Sequence, residues 1–306
     1  AAHSLELSEI DAAIRSAPFE MGFSPVDWET LLDYMIHKRA GVDDVELMRI
    51  ITLMCSQFNE NNKKLGSDLM AHAEAAGSIP PDQGGGRKGF RANLIATEKR
   101  ITHDIIRQQH SSASHIGLDA SQCYDRMVHP PTALSMMKHG AHPPAVRSMF
   151  TTLQNAKHKV NTAYGPSQTT YGGMSRQHMG LDPLQGIGQG NGCGPPAFIA
   201  LSTDIIRCML RKGFGAVLTA AITLTTLFMV CFCFVDDSDY MHISPSMTTP
   251  GESIVPETQD ALDCWVGTLS CTGGAINPKK SYWYLLDFKW TGAQWAYRNT
   301  TEMPGN

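Results

Sequence analysis

Three carboxylates, Asp119, Asp236 and Asp237, are the residues in this sequence best placed to do chemistry. Two of them stand side by side at the end of a long uncharged run, Ala216 to Val235, in the order Phe234-Val235-Asp236-Asp237. Adjacent carboxylates repel each other unless a cation lies between them and water. A strand that turns on such a pair presents it to a divalent metal. Asp119 closes a second stretch, Ser114 to Asp119, which lies 117 residues before Asp236. Two neighbouring antiparallel strands could bring these tips together. Two-metal phosphoryl or nucleotidyl transfer needs carboxylates delivered to one point in this way. Mg2+ takes hard oxygen ligands and uses only one or two protein carboxylates per ion. A lone aspartate at a strand end is more often a surface acid, so the reading rests on what surrounds these three.

Two neighbouring stretches add to it. Gly117-Leu118-Asp119-Ala120-Ser121-Gln122-Cys123-Tyr124-Asp125 places an aromatic ring five positions after the first acid. Gln185-Gly186-Ile187-Gly188-Gln189-Gly190-Asn191-Gly192-Cys193-Gly194-Pro195 is a glycine-rich loop opening a helix. Such a loop lets backbone approach a base or sugar closely.

The bulk properties set limits. The chain has 306 residues, room for one large domain or two small ones. A net charge of −4 and a pI near 6.3 give no general basic signature for nucleic acid. Local basic clusters offset this: Arg87, Lys88 and Arg91; Arg207, Arg211 and Lys212; Lys279 and Lys280. Eight cysteines without a CxxC pair point to free thiols in a reducing compartment, hence an intracellular setting, cytoplasm or nucleus. The chain begins Ala1-Ala2, without an initiator Met or signal peptide, and reads as a segment of a longer product. Residues 216–235 pass a crude length test for a membrane span. Their four threonines, the β-branched and aromatic residues and the missing aromatic belt favour a helix end followed by one buried strand instead, and no membrane partner.

These groups must be held by a scaffold. Residues 1–25 are weakly patterned and read as an arm. Trp28, Leu31, Leu32, Tyr34 and Met35 suggest a short helix. Longer helices are expected from Phe58 to Ala76, Ala92 to Gln109, Pro130 to Gly140, Pro143 to Asn155 and Phe198 to Leu210. Strands are expected over 114–119, 157–164 and 282–290, and a polar loop over 244–259 before a helix carrying Leu262, Trp265 and Leu269. There is no internal repeat and no βαβ rhythm, which favours an α+β fold with an antiparallel sheet. Asp125 reads as a structural cap, Asp239 as a solvated turn residue, and Trp265, Trp283 and Trp290 as core. The histidines His139, His142 and His158 lack ligand spacing. Arg207 and Arg211 read as a solvated helix face.

In order, these motifs resemble the reverse transcriptase domain of non-LTR-type retroelements and their group II intron relatives, in a divergent branch from unicellular eukaryotes. The family's Asp followed five positions on by Phe or Tyr reads here as Asp119 and Tyr124. Its Gly-x-x-Gln-Gly-x-x-x-x-Pro loop reads as Gly186 to Pro195, its aromatic-x-Asp-Asp hairpin as Phe234 to Asp237, and its Asn-x-x-Lys stretch as Asn277 to Lys280. Gln83 to Arg91 resembles a Gln-x-Gly-x-Arg-x-Gly-x-Arg segment, and Leu47 to Ile51 an Arg-Pro-Ile strand with Ile50 in place of proline. The resemblance spans residues 26–290.

The resemblance implies right-hand polymerase fingers and palm, with an antiparallel palm sheet flanked by helices and a thumb largely missing. It divides the chain into an arm (1–25), fingers (26–116), a catalytic palm (117–290) and the start of a truncated thumb or linker (291–306). Asp119, Asp236 and Asp237 would ligate two Mg2+ ions, or Mn2+, with the Ala120 carbonyl as a further ligand. Tyr124 would pack under the deoxyribose and exclude a 2′-hydroxyl, the group that separates RNA from DNA. Gln189 and Gly190 would line the nucleotide pocket. Arg49 and Lys38 would hold the triphosphate. Lys280, or Lys279, would be the general acid for pyrophosphate. Arg87 and Arg91 would touch template or hold the fingers loop, and Trp290 falls in the primer-gripping hairpin. The implied partners are an RNA template, a DNA or RNA primer, dNTPs and the rest of a retroelement polyprotein. Two other readings compete: a catalytically decayed or domesticated nucleic-acid-binding copy, and an RNA-dependent RNA polymerase, which an aromatic at position 124 disfavours.

Overall fold

The structure is a computed structural model of the 306-residue chain. It describes residues 4–38, 41, 44, 48–162, 164–173, 184–219, 222–244 and 251–303. The fold is α+β with sheets that are antiparallel except for one strand pair, as the mixed element pattern implied.

Helix α1 spans Leu5–Met21 where an arm was expected. Its start is marked by Ser4, whose hydroxyl accepts from the Leu7 N–H at 3.4 Å, and its stop by Gly22 at φ +75°. The apolar pattern is weak because Leu5, Leu7, Ile10 and Ile14 all face outward. Next come strands β1 (Thr30–His37) and β2 (Met48–Leu53), an antiparallel pair. A helix was expected at the first of these. The spacing of Leu31, Leu32 and Met35 suits either element, and β1 becomes a strand because partners pair with it on both edges.

Helices α2 (Ser56–Ala75) and α3 (Ala92–Gln109) follow, then β3 (Ala113–Asp119) and a single helical turn, α4 (Cys123–Arg126). Helices α5 (His129–Lys138) and α6 (Pro143–Asn155) each begin with prolines at their first positions, where the missing N–H costs nothing. Strands β4 (Lys157–Thr162) and β5 (Gly165–Pro166) precede α7 (Gly194–Arg211). The apolar run becomes three strands: β6 (Ala216–Thr219), β7 (Thr226–Met229) and β8 (Cys231–Phe234). That replaces the expected helix end and single strand. Among the described residues no helix is long and apolar enough to cross a membrane. The chain closes with β9 (Asp237–Ile243), α8 (Gly251–Cys271), β10 (Tyr282–Leu286), β11 (Phe288–Trp290) and β12 (Trp295–Tyr297). Helix α8 thus begins inside the stretch expected to be a polar loop.

The chain forms two compact units. One joins residues 1–78 with 124–200. Its sheet runs β2-β1-β4-β5, with β1 and β4 parallel, and α1, α2 and α6 pack on one another. Trp28 anchors this unit between Phe19 and Phe58, with ring centroids at 6.2 and 5.4 Å.

The other unit joins residues 79–123 with 201–306. Its sheet runs β10-β3-β9-β8, antiparallel throughout. Alternation along the strands gives each face its own core. One face carries Ile116, Leu118, Cys231, Cys233 and Tyr240 against Ile205, Ile206, Ala261, Trp265 and Leu269 of α7 and α8. The opposite face carries Ala113, Phe232, Met241 and Ile243 against Ile95 and Ile106 of α3. Each fully buried Ile or Leu here contributes about 1.5–3 kcal/mol. Trp265 lies in the core as expected, but Trp283 and Trp290 are 49% and 56% exposed. They sit on short C-terminal strands with too little covering layer to bury an indole.

Candidate active site

Strands β3 and β9 pair from Ala113↔Ile243 to Asp119↔Asp237. Directly paired residues share a face with Cβ atoms about 4.5–5.5 Å apart. Asp119 and Asp237 therefore leave the same face at the open end of the sheet. Strands β8 and β9 are joined through Val235 and Asp236, with Phe234↔Asp237 closing the turn. Val235 adopts φ +61°. A left-handed conformation costs a side-chain-bearing residue roughly 1–2 kcal/mol, and a β-branched one is a genuine outlier. The Asp236 Oδ2 accepts from the Cys123 thiol at 3.5 Å. The expected clustering of strand-tip acids is thus present, and all three lie in the same unit.

A tight turn aims Lys280 at this end. Ala120 bridges Ile276, the Asn277 N–H donates to the Asp119 carbonyl at 2.8 Å, and the Asp119 N–H donates to the Ser281 hydroxyl at 3.3 Å. Within the turn, the Lys280 and Ser281 N–H groups both donate to the Asn277 carbonyl. Lys280 Nζ reaches Asp119 Oδ2 at 3.4 Å.

Charge is crowded here. Burial pushes the Asp237 carboxyl above its ordinary range, and the charges of Asp236, Asp119 and Asp239 push it further, with Lys280 opposing. Asp239 is not the solvated turn residue expected. It lies within β9 and accepts from Lys99 at 2.7 Å, with His115 Nε2 at 3.0 Å. Burial acts to raise its carboxyl, but His115 and Lys99 outweigh that and hold it low. Lys99 lies on α3 beyond any motif, so only the packing of α3 on this face reveals it.

Among the described residues no group of three His, Cys, Asp or Glu side chains stands close enough to hold a metal ion unaided. The donor set nonetheless suits Mg2+: hard carboxylate oxygens, a carboxyl raised by burial and by like charge, and only one or two protein ligands needed per ion.

The remaining nucleotide-pocket candidates lie in the unit made of residues 1–78 and 124–200. Tyr124 sits in α4 and meets Phe198 edge-on at 6.4 Å. The glycine-rich loop crosses this turn: the Gly186 N–H donates to the Met127 carbonyl and the Ile187 N–H to the Tyr124 carbonyl, both at 2.9 Å. Gln189 is fixed from two sides. Its carbonyl accepts from the Thr52 N–H at 2.7 Å, and its side chain bonds Asp125. Asp125 thus braces Gln189 rather than capping a helix. Gly190 at φ +123° would place a Cβ 2.4 Å from the Thr52 carbonyl oxygen, so no side chain fits. Arg49 pairs with Ile36 next to the end of the β1–β2 ladder, and Lys38 stands just past the end of β1, two residues after Ile36. Lys38 is close enough to act on the Asp125 charge.

Beneath this loop lies a residue the motifs did not indicate. Asp33 is buried on β1 and accepts from Thr52 Oγ1 at 2.7 Å, from the Tyr171 hydroxyl, and pairs with His158 Nδ1 at 2.8 Å. His158, expected to be bland, is its partner. Burial would raise Asp33, yet these three bonds hold it below the ordinary carboxylate value. An acid two residues after Leu31, on the same buried face of the strand, was the available signal.

Arg87 donates to the Pro80 and Gln83 carbonyls and lies 4.3 Å over the Phe90 ring, which is the loop-holding role of the two expected. Arg91 is the exposed residue preceding α3. Trp290 packs edge-on against Trp295 on the β11–β12 hairpin at 5.8 Å.

No family model matches the chain, and no curated protein sequence matches it. Solved structures do. The telomerase of Candida tropicalis in complex with the TWJ fragment of telomeric RNA matches with a TM-score of 0.55 at 14% identity, over 92% of this chain and 44% of that one. A Candida tropicalis telomerase truncated from its C-terminal domain matches with a TM-score of 0.55 at 12% identity, over 92% and 55%. The Candida albicans telomerase with the same RNA fragment matches with a TM-score of 0.56 at 11% identity, over 91% and 45%. The chain spans about half the length of these telomerases. At such identities the likeness establishes a reverse-transcriptase-like fold.

Proposed function

We propose that the chain is the core of an RNA-templated DNA polymerase from a retroelement of the non-LTR, group II intron-like kind. The observation that carries it is the pairing of Asp119 with Asp237 at one sheet end, with Lys280 on Asp119, in a reverse-transcriptase-like fold. Asp119, Asp236 and Asp237 would hold two Mg2+ ions, which when bound supply charge neutralisation and a more acidic primer hydroxyl. The primer 3′-hydroxyl gives up its proton to water as its oxygen attacks the α-phosphorus of a dNTP, the bond from that phosphorus to the bridging oxygen breaks, and pyrophosphate leaves. Lys280 would give its proton to that leaving group. Arg49 and Lys38 would hold the triphosphate, and Gln189, braced by Asp125, would orient the nucleotide. Tyr124 would bar the 2′-hydroxyl. The RNA fragment bound in two of the matched telomerases supports RNA as a partner.

The test is primer extension on an RNA template with dNTPs and Mg2+. Asp236→Asn is expected to abolish it; extension surviving that substitution refutes the reading. A second reading is a nucleic-acid-binding copy without catalysis; among the described residues no group of three His, Cys, Asp or Glu side chains stands close enough to hold a metal ion. Mg2+-dependent thermal stabilisation with no incorporation would select it.

A further inference from the structure

The acid turn depends on a residue that no motif role assigns. Gln83 is fully buried, and its side-chain amide makes four hydrogen bonds, two of them to Val235. Its Oε1 accepts from the Val235 N–H at 3.1 Å and from the Gly85 N–H at 3.0 Å. Its Nε2 donates to the Val235 carbonyl at 3.2 Å and to the Ser202 hydroxyl at 2.9 Å. One side chain therefore grips both the N–H and the C=O of the left-handed residue between Phe234 and Asp236.

The surroundings fit Gln83 to this task. Its segment runs along β8 as a parallel bridge to Cys233, with the Gly84 N–H donating to the Cys233 carbonyl at 2.9 Å and the Cys233 N–H to the Asp82 carbonyl at 2.8 Å. Asp82 Oδ1 accepts from the Val230 and Cys231 N–H groups at 2.6 and 3.1 Å. At Gly85 a Cβ would fall 2.1 Å from the Val235 nitrogen, so only glycine lets the loop lie this close. Arg87 locks the far side of the same loop. A strained turn persists only where its surroundings over-determine it.

We propose that Gln83 is a positioning residue that holds Val235 in its left-handed conformation and thereby fixes where Asp236 and Asp237 point. Being fully buried, it lies out of reach of a substrate and acts through that peptide. The inference rests on the acid pair being the metal-binding centre proposed above, but the clamp can be tested without polymerisation.

The experiment is a mutant cycle read by hydrogen exchange and Mn2+ binding. Gln83→Ala is expected to speed amide exchange over residues 233–237 and to weaken Mn2+ binding, followed by electron paramagnetic resonance, each by about tenfold. Val235→Gly removes the strain, since glycine adopts positive φ freely. In that background Gln83→Ala should change Mn2+ affinity by less than about threefold, a non-additivity that general destabilisation would not produce. Gln83→Met keeps the volume without the amide and guards against a variant that simply fails to fold. It should behave as Gln83→Ala does, with the melting temperature confirming a folded chain. Exchange and Mn2+ affinity unchanged in Gln83→Met, or additive effects with Val235→Gly, overturn the proposal. Wild-type chain that shows the cycle but extends no primer leaves the clamp standing and removes the polymerase reading.

Discussion

Asp119 and Asp237 are direct partners across an antiparallel strand pair, so two carboxylates of like charge share one face of the sheet. Like charges directly opposite are destabilising. The acid pair is therefore a cost to the metal-free fold, partly offset by Lys280. Asp119→Asn is expected to stabilise the metal-free chain by roughly 0.2–1 kcal/mol in urea unfolding. The same variant should lower primer extension on the order of 10³-fold or more. A variant that loses both stability and activity would point to a structural role instead.

The same crowding sets a pH dependence. Burial and the charges of Asp236, Asp119 and Asp239 raise Asp237 above the ordinary carboxylate value. The folded chain thus holds this proton more tightly than the unfolded chain. Its contribution to stability is full below the ordinary value and declines as pH climbs through the raised one. Asp237→Asn should flatten that decline in a series of melting curves taken without metal. A bound cation works against the same repulsion, so stabilisation by Mg2+ should be larger at pH 8 than at pH 5.

Asp33 behaves in the opposite sense. Held low by His158, Tyr171 and Thr52, it stabilises the fold above the ordinary carboxylate value and loses that effect as pH falls through its depressed one. Asp33→Ala leaves three polar groups without their shared acceptor and should cost about 2–4 kcal/mol at neutral pH. Urea midpoints at pH 7 and pH 3 check this, since the gap between variant and wild type should narrow in acid.

Gly190 tests the loop. A methyl group there meets the Thr52 carbonyl oxygen, and the backbone stands at φ +123°. Gly190→Ala should displace Gln189 and raise the KM for dNTP by about tenfold or more, with a smaller effect on kcat. Steady-state extension kinetics separate the two.

Tyr124 tests sugar selection. Its ring is held edge-on by Phe198. Tyr124→Val should raise the incorporation of rNTPs relative to dNTPs by roughly 10–100-fold, measured by competitive extension. An unchanged ratio would remove this residue from the discrimination.

Much of this arrangement could be read from the chain. Asp119, Tyr124, Gln189, Asp236 and Asp237 announced themselves because residue type and order alone specify them. Helices such as α3 and α6 were legible from apolar spacing with clear stops. Strand β1 was not, because Leu31, Leu32 and Met35 satisfy both periodicities and only pairing on two edges decides between them. The run 216–235 hid three strands because a turn built on Thr223, Leu224 and Thr225 lacks glycine, with Leu224 itself at φ +55°. Asp33 and Lys99 escaped notice because their partners lie 19 to 140 residues away. Gln83 was read only as the head of a motif, and nothing in that segment signals its bond to Val235, 152 residues on.

The two-residue connection from Phe234 to Asp237 makes the centre a matter of odd and even counting. Side chains alternate along β9, so Asp237, Asp239, Met241 and Ile243 share one side and Ser238, Tyr240 and His242 the other. Loss or gain of a single residue between 233 and 237 would turn every following side chain over, sending Tyr240 toward α3 and the carboxylates toward α8. Length at this point is therefore more tightly constrained than identity, and natural variation there should come as substitutions rather than as insertions or deletions.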